Sequence, residues 1–345
     1  MKRFFLLHFM LLTFAGLYAN DSTKIHSIFD EFYRPDQILE VTLQFDCKQL
    51  IRQKEKQEKM PATLTYQNSN GESVTRSIQV KSRGRSRLQV CSFPPLKLDF
   101  NKEELIQAGF LADADQLKLV IHCSNAGLTD RQVLKEWLVY KLYNIINEKS
   151  YNTQLLRIKY LDKNGALYAD EYAFLIEPTE ALAARIDCQK SERVIESSSE
   201  LESPVYNQML LFEYMIGNVD WDIRSRHNIA VLKSNKGGFR VAVPYDFDYS
   251  GIVSAFYAVA DKRVGQKYLG ERALFYAFSD EPAFQTAIQY FLAKEEAIFD
   301  ACDNFTLLDE KDRAAVIKYL KSFYDLVKAP KMTTKKLNSY SIKAP

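Results

Sequence analysis

The sequence carries almost no net charge, and this excludes one large class of functions. Its 345 residues include 46 Lys and Arg against 44 Asp and Glu. Removal of a leader through residue 19 would take away Lys2 and Arg3, leaving 44 basic residues against 44 acidic ones. A domain that binds nucleic acid normally carries a basic excess. We therefore expect no nucleic-acid partner, and we interpret the basic tail, 331–345, as a solvated chain end.

The sequence also lacks a Cys-x-x-Cys motif and, after residue 19, a long apolar run. The five cysteines are Cys47, Cys91, Cys123, Cys188 and Cys302. None of them forms a Cys-x-x-Cys pair, so we do not expect a zinc site. No stretch after residue 19 is long and apolar enough to span a membrane. The chain has no internal repeat or low-complexity block, and its length predicts one large or two smaller folded units.

The first 19 residues have the pattern of a secretory signal. Lys2 and Arg3 precede an apolar run from Phe4 to Leu17, and the small residues Gly16 and Ala19 close it. This run is shorter than the roughly 20 apolar residues that span a bilayer. We predict cleavage near Ala19 and export to the periplasm, the cell surface or the medium. A retained N-terminal anchor is the alternative.

Export permits disulfide bonds, and one pair of cysteines is well placed for a bridge. Cys91 and Cys123 lie at the ends of predicted strands and bracket the strand around Lys97. We predict that they pair. An odd number of cysteines leaves at least one thiol over, and the alternative for each is a small buried apolar residue.

Hydrophobic patterning predicts a β-rich first part and a helix-rich last part. Alternating apolar residues between 38 and 100, with a turn signal at Asn68 to Gly71, predict strands and a hairpin. The middle of the chain is mixed. Residues 177–203 are polar, and we expect them to be mobile. Three amphipathic helices are predicted in the last third, at 203–214, 281–302 and 308–327.

Acidic and amide side chains cluster within one stretch of the last third. Asp220 lies in a loop after a predicted helix, and Asn228 follows eight residues later. Asp246 and Asp248 come after two further predicted strands. Carboxylate and amide oxygens are the ligands that Mg²⁺ and Mn²⁺ prefer, and a remaining carboxylate can accept a hydroxyl proton. The set predicts a divalent-metal site that handles phosphate.

The two strands between Asn228 and Asp246 predict how these side chains meet. With a turn centred near Lys236, antiparallel pairing puts residue 228 opposite about 244 and residue 246 opposite about 226. Asn228 and Asp246 should therefore emerge at the same end of one hairpin, within about 10 Å of each other.

Basic residues in the β-rich part are candidates for binding phosphate. Lys81, Arg83, Arg85 and Arg87 take every second position, so on a strand they would share one face, and Gly84 leaves room for a phosphate. The alternative is a solvated basic edge strand.

A second candidate for phosphate binding is Lys97, which lies between two leucines in a predicted strand. Glu136, on the helix that follows, is a candidate to hold it. For each of these two residues, ordinary surface charge is the alternative.

With these residues identified, the chain resembles the spore-coat protein H (CotH) kinase family, a branch of the protein-kinase-like superfamily. The resemblance runs from about residue 80 to residue 251. The motifs that carry it are Arg83-Gly84-Arg85-Ser86, Pro95-Leu96-Lys97-Leu98, Leu117-Lys118-Leu119, Phe174-Leu175-Ile176-Glu177, Gly217-Asn218-Val219-Asp220 with His227-Asn228, and Pro244-Tyr245-Asp246-Phe247-Asp248.

The resemblance implies a bilobal α+β fold with a β-rich N-lobe and a helix-rich C-lobe. It also implies binding of ATP with Mg²⁺ or Mn²⁺, and phosphorylation of Ser or Thr in a protein substrate. The implied roles are catalytic base for Asp220, metal ligand for Asn228 and Asp246, support for Asp248, and a lysine–glutamate pair for Lys97 and Glu136. The implied division is a signal peptide at 1–19, a β-rich region at 20–92, an N-lobe at 93–176, a C-lobe at 177–330 and a tail at 331–345.

The sequence departs from common kinases in three places. In the usual catalytic loop Asn follows Asp five positions later, whereas Asp220 and Asn228 are eight apart. No GxGxxG loop is present, so Arg83-Gly84-Arg85 must take its place. Asp222 competes with Asp220 for the role of base.

Three functions from different classes remain open. The chain is an exported atypical kinase, a catalytically silent kinase-fold binding or scaffold protein, or a metal-dependent transferase that uses Asp-x-Asp with a nucleotide sugar. Retention of Asp220, Asn228 and Asp246 together favours the first over the second. The third needs a parallel nucleotide-binding sheet, and the sequence shows no strand–helix alternation of that kind.

Overall fold

The structure, a computed structural model, describes residues 26–68, 70–84, 86–123, 130–274 and 276–340. It has a mixed α+β fold with a β barrel in the first half and helices around a small sheet in the second. The expected signal peptide and Arg85 lie outside the described residues.

The first half is built around a closed barrel with the strand order β1-β2-β3-β4-β5-β7-β6. Its strands are β1 Leu39–Phe45, β2 Met60–Gln67, β3 Ser73–Ser82, β4 Leu96–Asp99, β5 Gln116–Val120, β6 Thr153–Asp162 and β7 Leu167–Ile176. Neighbouring strands are antiparallel, except that β1 and β6 are parallel. Alternate apolar side chains, such as Val41, Leu43 and Phe45 of β1, fill the barrel interior.

The second half combines helices with a small sheet of order β10-β9-β8. Its strands are β8 Cys188–Lys190, β9 Ile229–Ser234 and β10 Arg240–Pro244. The helices of the described chain are α1 Cys47–Arg52, α2 Ser86–Val90, α3 Lys102–Gln107, α4 Asp130–Ile146, α5 Thr179–Arg185, α6 Ser203–Ile216, α7 Glu281–Ala293, α8 Glu295–Asp303, α9 Glu310–Val327 and α10 Thr334–Tyr340. In the parts of the chain that are described, no helix has the length and apolar character needed to cross a membrane.

Helix α4 connects the two halves of the fold. It packs on β6 and β7 of the barrel and also on α6 and α8. Its buried side chains, including Trp137, Tyr140 and Tyr143, belong to the large apolar cluster of the helical half. A second cluster fills the barrel. The position of α4 places its polar residues at the boundary between barrel and helices.

Several predicted elements are confirmed. The turn signal at Asn68 to Gly71 joins β2 to β3 as an antiparallel hairpin. Gly71 has a φ of +78°, a backbone conformation that glycine adopts without strain. Helix α6, Ser203–Ile216, agrees with the helix predicted over 203–214. Strands β3 and β4 lie on the two sides of the expected boundary at residue 92, and they pair with each other within the one barrel.

Two regions of the second half differ from what the sequence patterns indicated. Residues 177–203, which we expected to be mobile, contain α5 and β8, and Leu182 and Ala183 of α5 are buried. The single helix predicted over 281–302 is divided at Lys294 into α7 and α8. Glu295 and Glu296 interrupt its apolar face, and acidic residues are favoured at a helix N-terminus.

The predicted disulfide is present. Cys91 and Cys123 are bonded across a sequence separation of 32 residues. The bond joins the end of α2 to the chain that follows β5. In the chain-entropy model, closing a loop of this length stabilises a fold by about 3.7 kcal/mol. The other three cysteines, Cys47, Cys188 and Cys302, are free and buried, which fits their alternative reading as small apolar residues.

Candidate functional site

The loop that carries Asp220 starts at the C-terminal end of α6. Gly217 ends this helix with a φ of +65°, and a Cβ at this position would collide with the hydroxyl of Tyr319. Just beyond it, Asn218 is buried, and its Oδ1 accepts the backbone N–H of Asp220 at 3.2 Å. The helix end and the buried amide therefore fix the backbone of Asp220, while about a quarter (26%) of its side chain stays exposed.

Two side chains at the start of β9 hold Asp220. His227 Nε2 lies 3.0 Å from Asp220 Oδ1. Asn228 Nδ2 donates to the Asp220 carbonyl oxygen at 2.7 Å and to Oδ2 at 3.2 Å. Asn228 has a φ of +53°, in the left-handed region that asparagine tolerates better than most residues. Because its amide nitrogen faces Asp220, its amide oxygen is left as an acceptor for another ligand.

The hairpin brings Asp246 to the same end as Asn228, as predicted. Pro244 pairs with Ile229, and the N–H of Tyr245 donates to the Asn228 carbonyl at 2.9 Å. The register differs from the expected one by one residue, because the turn is centred between residues 236 and 237.

Phe247 fixes the two aspartates beside it. Its ring is fully buried and lies 4.8 Å from Tyr140 of α4 and 5.9 Å from Phe212 of α6, measured between ring centroids. Asp246 has a φ of +66°, and its N–H donates to the Tyr140 hydroxyl at 2.9 Å. The burial of Phe247 therefore decides where Asp246 and Asp248 lie.

Asp248 is buried and held by two partners from other parts of the chain. Tyr257 donates its hydroxyl to Asp248 Oδ2 at 2.7 Å, and an Arg87 guanidinium nitrogen lies 3.8 Å from the same oxygen. Burial, and then the neighbouring charge of Asp246, raises the pKa of Asp248 to about 7, while Arg87 opposes the shift.

Glu136, from α4, adds a third carboxyl group to Asp246 and Asp248. It is buried, and its Oε1 has no hydrogen-bond partner in the structure. Burial raises the pKa of Glu136 well above its ordinary value, Asp248 and Asp246 raise it further, and Arg87 opposes them. If all three carboxyl groups were ionised, their charge would exceed that of the buried Arg87, and a bound cation would favour the ionised forms.

The expected pair of Lys97 and Glu136 does not form. Lys97, on β4, donates to Gln116 Oε1 at 3.0 Å, and no ion pair joins it to Glu136. Strand β5, with Lys118, lies on the side of β4 that leads to β7 and α4.

Lys118 is the lysine that lies next to Asp246, and sequence reasoning did not select it as a site residue. Its Nζ is 4.1 Å from the centroid of the Tyr245 ring. Burial and then Arg83 lower the pKa of Lys118 to about 8, whereas Asp246 acts to raise it. A signal was available in Leu117-Lys118-Leu119, a lysine between two leucines just before the helix with Glu136.

The predicted basic face of alternating residues is also wrong. Strand β3 ends at Ser82, and Gly84 turns the chain with a φ of +95°. Helix α2 then buries Arg87, whose guanidinium donates to the Ile121 carbonyl at 3.1 Å. A positive φ breaks the two-residue period of a strand, so Lys81 and Arg87 do not share a strand face. Arg83 is partly buried near Lys118, and Arg85 lies outside the described residues.

Asp222, the competitor for the role of base, closes a local turn. Its Oδ1 accepts the backbone N–H of Ser225 at 2.7 Å, and its own N–H donates to the His227 carbonyl at 2.9 Å. The carboxylate of Asp220, and not that of Asp222, contacts Asn228.

The donor set fits a hard cation that is shared with phosphate. Within the described ranges, no group of three or more His, Cys, Asp or Glu side chains is placed to hold a metal ion. A metal here would need Asp246, the amide oxygen of Asn228, and further oxygens from phosphate or water. Mg²⁺ is usually bound in this way, through one or two carboxylates with substrate phosphates. In the same region, the buried Oε1 of Glu136 has no hydrogen-bond partner and is free to accept one.

Comparisons with known proteins give little independent guidance. No protein-family model matches the chain, and no curated protein matches it. The crystal structure of a Helicobacter pylori proinflammatory kinase, CtkA, is matched at 12% sequence identity with a TM-score of 0.37. The match covers 71% of this chain and 93% of that one. A TM-score this low does not establish a shared fold, so the function must be argued from the geometry of the site.

The buried carboxyl of Glu213, in the last turn of α6, predicts a pH dependence of stability. Burial and then the charge of Asp220 raise its pKa from 4.5 to about 8. Between these values the folded state keeps a proton that the unfolded state releases, so stability falls as the pH rises. In urea unfolding at about pH 5 and about pH 8, the wild-type protein should lose up to roughly 4 kcal/mol more than Glu213→Gln. Glu296→Gln, at an exposed position on α8, should behave like wild type; an equal loss in all three proteins would contradict the prediction.

Proposed function

We propose that this protein is an exported atypical kinase that transfers phosphate from ATP to a protein hydroxyl with Mg²⁺ or Mn²⁺. The observation that carries the proposal is the convergence of Asp220, Asn228 and Asp246. Hydrogen bonds join Asp220 to Asn228, and the hairpin joins Asn228 to the residue before Asp246. The chain order also follows that of a protein kinase: a strand lysine, a helix glutamate, an Asp loop, an Asn and a second Asp.

Each residue has a role that suits its surroundings. Asp220, partly exposed and held by His227, accepts the proton of the acceptor hydroxyl. Asp246 and Asn228 hold the metal, which supplies positive charge to the phosphate oxygens when it is bound. Lys118 neutralises phosphate from the barrel side. Asp248 is a positioning residue, because Tyr257 and Arg87 hold it away from solvent.

A catalytically silent binding protein is the second candidate, and one observation favours it. Active protein kinases place the strand lysine in an ion pair with the helix glutamate. Here Glu136 faces Arg87, and neither Lys97 nor Lys118 forms an ion pair with it in the structure. The silent candidate binds nucleotide and metal at the same residues but transfers no phosphate.

Nucleotide should stabilise the fold more when metal is present than when it is absent. At a hundredfold excess over Kd, a bound ligand adds about 2.7 kcal/mol to the free energy of unfolding. Asp246→Ala should abolish the part of this increment that depends on metal, because the neutral amide of Asn228 cannot balance the cation. Asp300→Ala, exposed on α8, is the matched control and should keep it. Thermal unfolding with ATP, with and without Mg²⁺ or Mn²⁺, measures the effect.

Substitution of the base separates the two candidates. Asp220→Asn should bind nucleotide and metal like wild type, while phosphate transfer falls by about 100-fold or more. Asp222→Asn should retain transfer. Binding with no transfer by the wild-type protein would favour the silent candidate. If ATP with either metal stabilises neither wild type nor Asp220→Asn, the nucleotide site is refuted.

We also propose that the protein acts outside the cytoplasm, and the Cys91–Cys123 bond is compatible with that compartment. Protein recovered from the exported fraction should begin after residue 19 and yield a Cys91–Cys123 peptide without reductant. Protein that keeps Met1 and has both thiols free would contradict the proposal.

A further inference from the structure

Three lysines stand side by side on neighbouring strands of the barrel. Lys81 of β3 is directly paired with Lys97 of β4, and Lys97 is directly paired with Lys118 of β5. Their sequence neighbours, such as Leu96 and Leu117, point into the barrel, so the lysines share its outer face. Like charges placed directly opposite each other on adjacent strands repel. We call Lys81, Lys97 and Lys118 the lysine row.

The lysine row has no carboxylate within ion-pair distance among the described residues. Lys97 donates to the neutral amide of Gln116 at 3.0 Å, and Lys118 lies over the Tyr245 ring. In the described parts of the chain, none of the three forms an ion pair. Burial, and then the charges of Lys81 and Arg83, lower the pKa of Lys97, while Asp99 and Asp115 oppose the shift.

A cavity of about 540 Å³ opens beside Lys97 and Lys118. The carboxylates that line it already have basic partners: Glu177 pairs with Arg185 at 2.8 Å, and Glu180 with Lys190 at 2.9 Å. Two more, Asp113 and Asp115, lie 3.9 Å from Lys102. None of these carboxylates forms an ion pair with Lys97 or Lys118, although Asp113 and Asp115 share the one Lys102.

The cavity offers few surfaces for a nucleobase. Its apolar lining is limited to Ile176 and Pro178, and most of its other residues are charged. Pockets that bind a ring through its faces are lined mainly by apolar and aromatic side chains. Neighbouring strands lie about 4.8 Å apart, so the lysine row presents its charges along a line of about 10 Å. An extended anion with several charges matches this line better than a planar base does.

We infer that the lysine row binds a chain of condensed phosphates, and that the phosphate donor is held through this chain with little discrimination of its base. Two ligands contain such a chain of phosphates: a nucleoside triphosphate and free inorganic polyphosphate. For the nucleoside triphosphate, the inference rests on the proposed function. Arg83, which is close enough to affect the pKa of both Lys97 and Lys118, extends the positive region toward Gly84.

Titration calorimetry of the full chain in metal-free buffer with a chelator tests the inference. Tripolyphosphate, ATP and GTP should bind with similar affinities, and adenosine should not bind. Lys97→Gln and Lys118→Gln should each weaken tripolyphosphate binding by about tenfold. Lys159→Gln, at an exposed position on β6, is the matched control and should bind like wild type. Without ligand, the two variants at the lysine row should unfold at the same temperature as wild type or higher, because a repulsion is removed.

Three results would overturn the inference: adenosine binds as tightly as ATP, tripolyphosphate does not bind, or the two lysine variants bind it like Lys159→Gln. One of these results could occur while ATP with Mg²⁺ still stabilises the wild-type protein more than Asp246→Ala. In that case the proposed function stands without the lysine row. If tripolyphosphate binds at the row but Asp246→Ala changes nothing with ATP and metal, the proposed function fails and free polyphosphate is the ligand.

Discussion

The burial of Phe247 between Asp246 and Asp248 is the constraint on which the site depends. Its ring packs against Tyr140 of α4 and Phe212 of α6, so one side chain ties the end of the hairpin to both helices. Helix α4 also carries Glu136, and α6 leads into the loop of Asp220. Because the core packing of one aromatic ring is shared by these elements, the acidic groups keep their mutual positions although they come from distant parts of the sequence.

The two sides of the site carry side chains of opposite charge. The helical half contributes Asp246, Asp248 and Glu136, and burial makes their negative charge costly. The barrel contributes the lysine row, whose members repel one another. A complex of divalent metal with phosphate offers a cation to the first group and an anion to the second. Each half of the protein is therefore destabilised by charge that such a ligand would balance.

The parts of the site that were predictable from sequence follow from local rules. The hairpin of β9 and β10 joins Asn228 to the neighbourhood of Asp246 because antiparallel register follows from the position of one turn. The lysine of the site was not predictable in this way. Lys97 and Lys118 have the same local pattern, and only the strand order of the barrel places Lys118 beside Tyr245. The alternation of basic residues predicted that Arg87 lies on a strand face. That pattern does not reveal the positive φ at Gly84, where the chain turns.

We propose that Asp246 and Asn228 hold a divalent metal together with nucleotide phosphate. Electron paramagnetic resonance of Mn²⁺ tests it most directly, because the spectrum distinguishes free from bound ion. We expect Mn²⁺ with ATP to bind to the wild-type protein, Asp246→Ala to abolish this binding, and Asn228→Ala to weaken it. An equal bound fraction of Mn²⁺ in all three proteins would contradict this metal site.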